Sequence, residues 1–563
     1  MNREKIKAPH QIISANINVS QIYILFCFFT IVFYFTWWLD FGNAGNPLLF
    51  GLLFIGEVYH IWQALGYLYT IWDQRKLKPR ALKEFYPVDV FITVCGEPRD
   101  VVEKTLKAVL AMDYSDFKLF ILNDGKGRDL PNWRDISALA EEYGVKAIVR
   151  DNNKGAKAGN INNGLANSSA PFFAVFDADH VPHKDFLKKT MPYFEDPKMA
   201  IVQTPQYYQN RGDGFLTQAA WEQQELFFGP ICRGKNRLNA TFWCGTNAVI
   251  RREALLEVGG VPEDNIAEDF LASLFMHEKG WNSVYVSEVL TDGMAPFNLG
   301  DYVKQQFRWA RGSSEVIFHH NPIFKKGLSF GQKVQYLYSS SYYINGFIVL
   351  IDALIPIVVL FTKVLPVKST TSEFMIYFFP FMFSTIHLLM LSTQNTITFR
   401  AIQLSISSFH VFIKACLSSL FRIPARFEVT PKAKETGNFL SFASFHFIYV
   451  AVGFIAITYG FLTQGFSPSV ITNGSWILFN IAFFFGFIRA AYPWKQSFDN
   501  ALEKLKTLLG LYKEFNVVER YDYSPVMQYT ETSSGGGGES IDRGNILISK
   551  SFGSEDNAKL KNN

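Results

Sequence analysis

The uncharged stretch of residues 22–39 limits the fold more than any other feature of the sequence. Its sequence, IYILFCFFTIVFYFTWWL, has no acidic or basic side chain. A second apolar run, residues 47–72, is interrupted only by Glu57 and His60. Because a helix needs about 20 apolar residues to cross the hydrocarbon core of a bilayer, each run predicts a membrane-spanning helix.

Four more apolar runs predict a multi-pass bundle of about six spans. They lie near residues 340–362, 373–394, 439–463 and 473–492. Two further stretches, 301–333 and 399–425, are semi-apolar and predict interfacial helices. Basic side chains directly after the second run place both termini in the cytoplasm by the positive-inside rule. These side chains are Arg75, Lys76, Lys78, Arg80 and Lys83. We therefore expect a protein of the plasma (inner) membrane.

Between the second and third spans, the chain has the pattern of an α/β domain. Short β-branched or apolar runs predict strands at 88–94, 117–123, 145–149 and 172–177. Helical segments at 101–112 and 133–144 separate some of them. Strands that alternate with helices indicate a Rossmann-like parallel sheet covered on both faces.

The predicted organisation has five parts. They are a cytosolic N-terminal segment (1–20), two spans (21–73), the cytosolic α/β domain (85–320), interfacial helices with four spans (321–498), and a cytosolic C-terminal helix (499–515) with a disordered tail, together 499–563. The formal charge of +4 is small for 563 residues, which argues against a nucleic-acid-binding protein. The cysteines are scattered without a CxxC pair, so we expect neither a zinc site nor a disulfide framework.

Carboxylates at the ends of predicted strands are candidates for ligand binding, because parallel α/β sheets bind ligands at that edge. Asp124 follows the second strand, and Asp177 and Asp179 lie at the end of the fourth. Carboxylate oxygens suit Mg²⁺, with Asp179 as the better metal ligand and Asp177 as a nucleotide contact. Acidic turn residues without a ligand remain the alternative, since Asp is common at strand ends.

Charged residues at two predicted helix starts have the chemistry of group transfer. Lys157 lies in a glycine-rich segment and could neutralise a diphosphate, although a solvated lysine is the alternative. Glu268 and Asp269 begin an apolar helix. They could serve only as helix caps; alternatively, Asp269 accepts the proton of an attacking hydroxyl.

A short helix and an aromatic loop complete the candidate residues. Gln305, Arg308 and Trp309 fall on one helix side. There the arginine could hold a leaving diphosphate and the tryptophan could stack on a sugar, although an interfacial Trp–Arg belt has the same pattern. Cys244 and Gly245 lie in a loop that could form the floor of an acceptor site. A buried, small hydrophobic role is the alternative for Cys244.

Several short segments follow one another in a distinctive order: VDVFITVCGEP, LNDG, KGAKAGNINN, DAD, VQTPQ, FWCGTN, AED and QQFRW. Their order and spacing resemble the processive family 2 glycosyltransferases, in particular the catalytic subunit of bacterial cellulose synthase and related β-glucan synthases. The resemblance covers about residues 20–500 and implies a GT-A-like fold for the cytosolic domain. Residues 427–432, FEVTPK, resemble the FxVTxK gating loop of cellulose synthases, which favours a β-glucan product.

The resemblance also implies roles for individual residues. Asp269 is expected as the catalytic base with Glu268 beside it, and Asp179 as the ligand of Mg²⁺ or Mn²⁺. The residues expected to bind the nucleotide sugar are Thr93, Cys95, Glu97, Asp124, Lys157, Asp177, Gln305, Arg308, Thr430 and Lys432. Those expected to bind the acceptor are Cys244, Gly245 and Trp309. Ala267 departs from the family pattern, which has threonine there.

The function that these expectations favour is inverting, processive synthesis of a β-linked polysaccharide, preferably β-1,4-glucan from UDP-glucose, with translocation across the membrane. The expected partners are the UDP-sugar, the growing polysaccharide, the lipid bilayer and an accessory export subunit. Other polymers stay open: mixed-linkage or β-1,3-glucan, hyaluronan and poly-N-acetylglucosamine. A non-processive enzyme acting on a lipid carrier and a pure transporter are less favoured. No PilZ-like domain follows the last span, so activation by cyclic di-GMP is not expected.

Overall fold

The structure is a computed structural model that describes residues 19–74, 76–397, 399–424, 437–492 and 505. The described residues from 19 to 492 belong to one compact unit. Most of the predicted N-terminal segment, the C-terminal helix and tail, and the FEVTPK segment (427–432) lie outside the described residues.

The first two helices coincide with the first two predicted spans. They are α1 (Gln21–Leu39) and α2 (Pro47–Ile71). The start of α2 is set by two local signals: the Asn46 side chain accepts hydrogen bonds from the backbone of Leu48 and Leu49, and Pro47 occupies the first helical position. The boundary between the two helices therefore follows from the sequence itself.

An α/β domain follows, and its main sheet has seven strands. In chain order its elements are β1 (Val88–Val94), α3 (Arg99–Leu110), β2 (Phe117–Asn123), α4 (Trp133–Glu142), β3 (Lys146–Val149), α5 (Ala156–Ala166), β4 (Phe172–Asp177), β5 (Val181–Pro182), α6 (Phe186–Thr190), β6 (Met199–Gln203), β7 (Tyr207–Tyr208), α7 (Phe215–Leu226), α8 (Cys232–Lys235), β8 (Ala248–Arg251), α9 (Arg252–Glu257), α10 (Glu268–Glu278), β9 (Asn282–Tyr285) and β10 (Thr291–Gly293). The seven-stranded sheet has the order β3-β2-β1-β4-β8-β6-β9, and β5, β10 and β7 form a small second sheet.

The main sheet is mixed: it contains the predicted parallel pairings, and one strand, β8, runs antiparallel to its neighbours. Strand β1 pairs in parallel with both β2 and β4, but β8 is antiparallel to β4 and β6. The reason lies in the loop before β8: the Asn247 N–H donates to the Val175 carbonyl at 2.8 Å, close to the end of β4. The chain therefore enters β8 at the carboxyl edge of β4 and runs in the opposite direction.

The remaining helices are α11, which continues from the α/β domain, and those of the second part of the membrane region. They are α11 (Leu299–His319), α12 (Phe330–Ser341), α13 (Asn345–Thr362), α14 (Thr371–Ser392), α15 (Phe399–Ser407), α16 (Phe409–Leu420), α17 (Ser444–Gln464) and α18 (Pro468–Ala490). Within the described residues, six helical stretches are long and apolar enough to cross a membrane, as predicted. The predicted amphipathic stretch 301–333 falls on α11 and the start of α12.

Two of these stretches depart from a simple span. The stretch Phe330–Thr362 joins α12 and α13 over 33 residues. At 1.5 Å per residue it is about 50 Å long, more than the ~30 Å hydrocarbon core, so part of it extends beyond the core. Helices α15 and α16 are bent by 43° relative to each other and could count as a seventh span only together. Their interfacial position stays a prediction.

Gly66 provides a test of how α2 packs on α12. A Cβ at this position would overlap the ring of Tyr338, whereas a Cβ at Gly51 of the same helix would meet no atom within 4 Å. We expect Gly66→Val to lower the free energy of unfolding by about 1–3 kcal/mol through overpacking. Gly51→Val is the matched control for helix propensity. The measurement is the thermal unfolding midpoint in detergent, and equal midpoints for the two variants would contradict the packing.

Candidate active site

Parallel pairing brings the ends of three strands to one edge of the main sheet. In the register of the sheet, Thr93 of β1 is the partner of Asp177 of β4, and Val94 is the partner of Asn123 of β2. The Thr93 hydroxyl donates to the Asp177 carboxylate at 3.1 Å. The side chains that follow β1 and β2 thus meet those that follow β4.

Lys157 approaches this edge from the first turn of α5. Gly155, just before the helix, has a φ of +68°, a conformation that glycine adopts without strain. The Lys157 ammonium contacts the Asp177 carboxylate in an ion pair. Burial alone would raise the pKa of Asp177, but Lys157 and neighbouring His180 outweigh burial, and the net pKa lies below its ordinary value.

Asp124 is held by an arginine that the sequence analysis did not single out. Arg150 donates from Nε and Nη2 to the two carboxylate oxygens of Asp124, both at 2.7 Å. The same guanidinium donates to the carbonyls of Lys154 and Ala156 at 2.7 and 2.8 Å. Burial raises the pKa of Asp124, and Arg150 offsets part of this effect. Arg150 therefore fixes Asp124 and the segment before Lys157 in one arrangement.

Glu268 and Asp269 occupy the first turn of α10. The Asp269 carboxylate accepts a hydrogen bond from the Phe270 N–H at 2.7 Å, as expected at a helix N-terminus. Gly245 allows Asp269 to come close, because a Cβ there would lie 2.9 Å from Asp269 Oδ2 and 3.6 Å from Lys157 Nζ. Burial raises the pKa of both Glu268 and Asp269. A carboxyl group with a raised pKa is suited to exchange a proton near neutral pH.

Helix α11 supplies the wall opposite the sheet edge. Gln305, Arg308 and Trp309 are spaced so that they share one face of this helix, and all of them line the cavity. Burial lowers the pKa of Arg308, while the charges of Asp177, Glu268 and Asp269 act in the opposite direction. These interactions place the guanidinium beside the carboxylates of the strand end and of α10.

Every predicted site residue in the described part of the chain lines this one cavity. These residues are Thr93, Cys95, Glu97, Asp124, Lys157, Asp177, Asp179, Cys244, Gly245, Glu268, Asp269, Gln305, Arg308 and Trp309. Thr430 and Lys432 lie outside the described residues. Their individual roles stay predictions, but the spatial convergence that those roles require is present.

The cavity also contains side chains that the sequence analysis missed. They include Asn153, Asn160, His180, Gln206, Tyr208 and Met294. Gln206 and Asn160 belong to the VQTPQ and KGAKAGNINN segments, so the segments located them even though no role was assigned. His180 directly follows the DAD segment, and its Nδ1 lies 3.3 Å from Asp179 Oδ1. A histidine next to the aspartate pair was a signal available in the sequence.

The position of Ala267 has a packing explanation. A Cβ at Gly312 of α11 would overlap the Ala267 methyl group, so helix and loop touch here without room for larger side chains. Alanine at position 267 is therefore small enough to allow α11 to approach the loop before Glu268.

Comparison with known proteins shows matches to two family models. Residues 87–312 match the family model described as "Glycosyltransferase like family 2", and residues 256–402 match the model described as "Cellulose synthase". This part of the chain is therefore similar to family 2 glycosyltransferases of the cellulose synthase type. All cavity residues, from Thr93 to Trp309, lie within residues 87–312.

This chain is similar to several cellulose synthases over part of their length. It is 38% identical over 294 residues to a cellulose synthase catalytic subunit (UDP-forming) of Pseudomonas fluorescens (strain SBW25), which covers 50% of this chain and 39% of that protein. For the protein of the same description from Xanthomonas axonopodis pv. citri (strain 306), the identity is 35% over 329 residues, covering 55% and 44%. The chain therefore spans less than half the length of these relatives.

The solved structure of a mannosyltransferase from Pyrobaculum calidifontis, in complex with GDP-Man and Mn²⁺, is a more distant match. Its sequence identity is 15% and its TM-score is 0.48, and the match covers 67% of this chain and 100% of the mannosyltransferase. At this level the comparison carries no conclusion about the substrate or metal of this chain.

The raised pKa of Glu268 predicts a pH-dependent cost in stability. The folded state holds this proton more tightly than the unfolded state, so stability is lost as pH rises from the ordinary carboxyl range through the raised pKa. We expect Glu268→Gln to raise the thermal midpoint at pH 8 by about 2–5 °C, and by less at pH 5. Exposed Glu141→Gln on α4 is the control. A midpoint difference for Glu268→Gln that does not change with pH would contradict this prediction.

Proposed function

We propose that this chain is a membrane-bound, processive, inverting glycosyltransferase. It polymerises a β-linked glucan, namely a cellulose-like β-1,4-glucan, from UDP-glucose and moves the polymer across the plasma membrane. The observation that carries the proposal is the convergence of Asp179, Asp269 and Trp309 on one cavity. The wall of that cavity, α11, packs on α16 of the membrane region: Arg311 Nη1 donates to the carbonyl of Ile423 at 2.6 Å and to Ser418 Oγ at 3.2 Å.

The donor fits the sheet side of the cavity. In the proposed arrangement the uridine lies against Thr93, Cys95, Glu97 and Asp124, and the diphosphate lies towards Lys157, Arg308 and Gln305. The printed names of the relatives, which describe UDP-forming enzymes, support a UDP-sugar. A buried lysine and arginine suit a diphosphate, since both charges act there in a poorly solvated environment.

The charge balance of the cavity supports a divalent cation. Its acidic lining residues are Glu97, Asp124, Asp177, Asp179, Glu268 and Asp269, against Lys157 and Arg308 in the lining and Arg150 behind Asp124. A diphosphate adds further negative charge. Asp179, with Asp177, offers the hard oxygen ligands that Mg²⁺ and Mn²⁺ accept.

No group of three or more His, Cys, Asp or Glu arranged to hold a metal occurs in the described residues. This fits an ion that takes most of its ligands from substrate phosphates and water. When bound, such an ion would stabilise negative charge on the departing diphosphate.

The chemical step is a single displacement at the anomeric carbon. Asp269 accepts the proton of the acceptor hydroxyl, and the acceptor oxygen forms the new bond from the face opposite the leaving group. The bond to the β-phosphate oxygen breaks, and its electron pair leaves with UDP. Lys157 and Arg308 stabilise that negative charge. Trp309, with Cys244 and Gly245, supports the acceptor sugar, and Glu268 lies beside the base in the same buried turn of α10.

The membrane part receives the product in this proposal. The α/β domain and both termini lie in the cytosol, the polysaccharide enters the bundle of spans, and Thr430 and Lys432 of the FEVTPK segment cover the nucleotide. An accessory export subunit stays a further expectation.

The direct test is to incubate the purified protein with Mg²⁺ or Mn²⁺ and each UDP-sugar in turn, and to digest the product with linkage-specific hydrolases. Absence of polymer from every UDP-sugar would refute the proposal.

Asp269→Asn tests the base. The variant keeps the size and hydrogen-bonding shape of the side chain but cannot accept the hydroxyl proton, so we expect kcat to fall by at least about 10²-fold with a small change in KM. Asp264→Asn is the control, because Asp264 is exposed and lies in the same loop before α10. The measurement is UDP release under saturating donor, and normal polymer yield from Asp269→Asn would rule out the assigned role.

Arg150→Lys tests the positioning of Asp124. A lysine cannot donate to both carboxylate oxygens and to two carbonyls at once. We expect KM for the UDP-sugar to rise about 5- to 10-fold, in proportion to the loss of about one hydrogen bond, with kcat changed less. Arg99→Lys is the surface control, since Arg99 pairs with Asp135 and Glu142 away from the cavity. A change of equal size in both variants would show that Arg150 has no special role.

A further inference from the structure

A buried lysine lies between the α/β domain and the membrane region. Lys235, the last residue of α8, is only 1% exposed. Among the described residues, no carboxylate forms an ion pair with its ammonium group. Burial lowers the pKa of Lys235 to about 8, so most of the side chain keeps its proton at neutral pH. A buried cation without a counter-ion is unfavourable for folding, and lysine rarely occupies such a position.

Hydrogen bonds join Lys235 to the membrane region. Its Nζ donates to Gln335 Oε1 at 3.1 Å and to Ser339 Oγ at 2.9 Å, both on α12. Gln335 is itself fully buried and donates from Nε2 to Thr70 Oγ1 of α2 at 2.8 Å. The acceptors are neutral oxygens, which fix the direction of the ammonium group without cancelling its charge. The ammonium group is therefore one end of a hydrogen-bonded chain that reaches two helices of the membrane region.

The backbone of α8 is anchored on α2. A Cβ at Gly234 would lie 2.1 Å from the Thr70 carbonyl oxygen at the end of α2, so a side chain does not fit here. Arg237, just after α8, donates from Nη2 to the Tyr69 carbonyl at 2.7 Å. The Lys235 side chain therefore starts from a fixed point at the junction of α8 with α2.

The same ammonium group faces an aromatic ring of the FWCGTN segment. Lys235 Nζ lies 5.2 Å from the centre of the Phe242 ring, which is within the range of a cation–π interaction. The Phe242 ring packs edge-to-face with Phe270 of α10, and the two ring centroids are 4.6 Å apart. Phe242 thus lies between the lysine and the helix whose first turn carries Asp269.

Phe242 begins the stretch of chain that reaches the cavity. Cys244 and Gly245, two and three residues further on, line that cavity. The Cys244 thiol donates to the Phe242 carbonyl at 3.6 Å, and the Trp243 N–H donates to Ser273 Oγ of α10 at 2.9 Å. Because these hydrogen bonds make the stretch compact, a displacement of the Phe242 ring would also move Cys244 and Gly245.

We propose that Lys235 is a positioning residue: through Phe242 it holds Cys244 and Gly245, which we call the acceptor floor, at a fixed place relative to α2 and α12. The inference rests on the proposed function, in which the acceptor floor supports the acceptor sugar. Lys235 lies behind the acceptor floor and does not touch the substrate. Its charge strengthens both the hydrogen bonds to α12 and the contact with the ring, which a neutral side chain of equal length does not do.

The chemical consequence concerns the competition between the acceptor hydroxyl and water. Attack by the acceptor oxygen on the anomeric carbon extends the polymer and releases UDP. Attack by a water oxygen on the same carbon gives free sugar and UDP, and a proton of that water goes to the base. A well-placed acceptor excludes water from this position. A displaced acceptor floor should therefore raise the amount of UDP released per sugar incorporated.

The first experiment measures UDP release and sugar incorporation in parallel, with the full chain reconstituted in liposomes. Lys235→Met removes the charge and keeps the length of the side chain. We expect the ratio of UDP released to sugar incorporated to rise at least about twofold, with KM for the UDP-sugar within about twofold of wild type. Lys235→Arg, which keeps the charge, should give a ratio closer to wild type than Lys235→Met does.

The matched control is Lys279→Met, at an exposed position directly after α10. It should leave the ratio unchanged. A purely structural role of Lys235 would shift the thermal unfolding midpoint without changing the ratio. A wild-type ratio in Lys235→Met would therefore overturn the proposal, whatever its midpoint.

A second measurement tests the route through Phe242 with milder variants. Ser339→Ala removes one acceptor of the ammonium group, and Phe242→Leu removes the ring that it faces. Each should raise the ratio, and Lys235→Met combined with Phe242→Leu should raise it no more than the larger single effect, because both changes act through one contact. Effects that multiply would refute this route. A wild-type ratio in both Ser339→Ala and Phe242→Leu would overturn the proposal even if Lys235→Met does not fold.

The outcomes separate the positioning role from the proposed function. Wild-type ratios in the variants, together with polymer of wild-type amount, would remove the role of Lys235 and leave a processive glycosyltransferase. Absence of polymer from the wild-type protein with every UDP-sugar would refute the proposed function itself.

Discussion

The parallel pairing of β1 with β2 and β4 is the constraint on which the rest of the site depends. It brings Asp124, Asp177 and Asp179 to a single edge of the sheet, and the chain can then add α5 and α10 only around that edge. Lys157 and Asp269 approach from the first turns of these two helices. The backbone N–H groups at the start of α10 favour the negative charge of Asp269, whereas Lys157 is held by its ion pair with Asp177. A slip of the β1–β4 pairing by one residue would separate Thr93 from Asp177 and turn the side chains to the other face.

The site buries several ionisable side chains, and their desolvation lowers the stability of the folded state. Buried carboxylates are tolerated because each has a partner: Asp177 has Lys157 and Asp124 has Arg150. Glu268 and Asp269 are less well compensated, so burial raises their pKa. That residual cost is what makes a carboxyl group able to accept a proton near neutral pH, since a fully satisfied carboxylate would be too weak a base.

The sequence predicted much of this arrangement, for identifiable physical reasons. The length of the apolar runs predicted the spans. Strands that are buried on both faces appeared in the sequence as continuous apolar runs, such as residues 88–94. The order of the segments located the cavity residues. The antiparallel direction of β8 could not be predicted, because it depends on where a loop returns to the sheet. Arg150 was missed because its role arises from contacts with Asp124 and two carbonyls, which spacing along the chain does not reveal.

Helix α11 joins the chemistry to the membrane part. One of its faces contributes Arg308 and Trp309 to the cavity, while Arg311 is hydrogen-bonded to the end of α16 and the carbonyl of Ile423. Gly312 lets the same helix touch the loop before Glu268. A rotation of α11 would therefore shift Arg308, Trp309 and the contact beside Glu268 together. Because one helix makes all of these contacts, the cavity wall that carries Trp309 is tied to the helices of the membrane region.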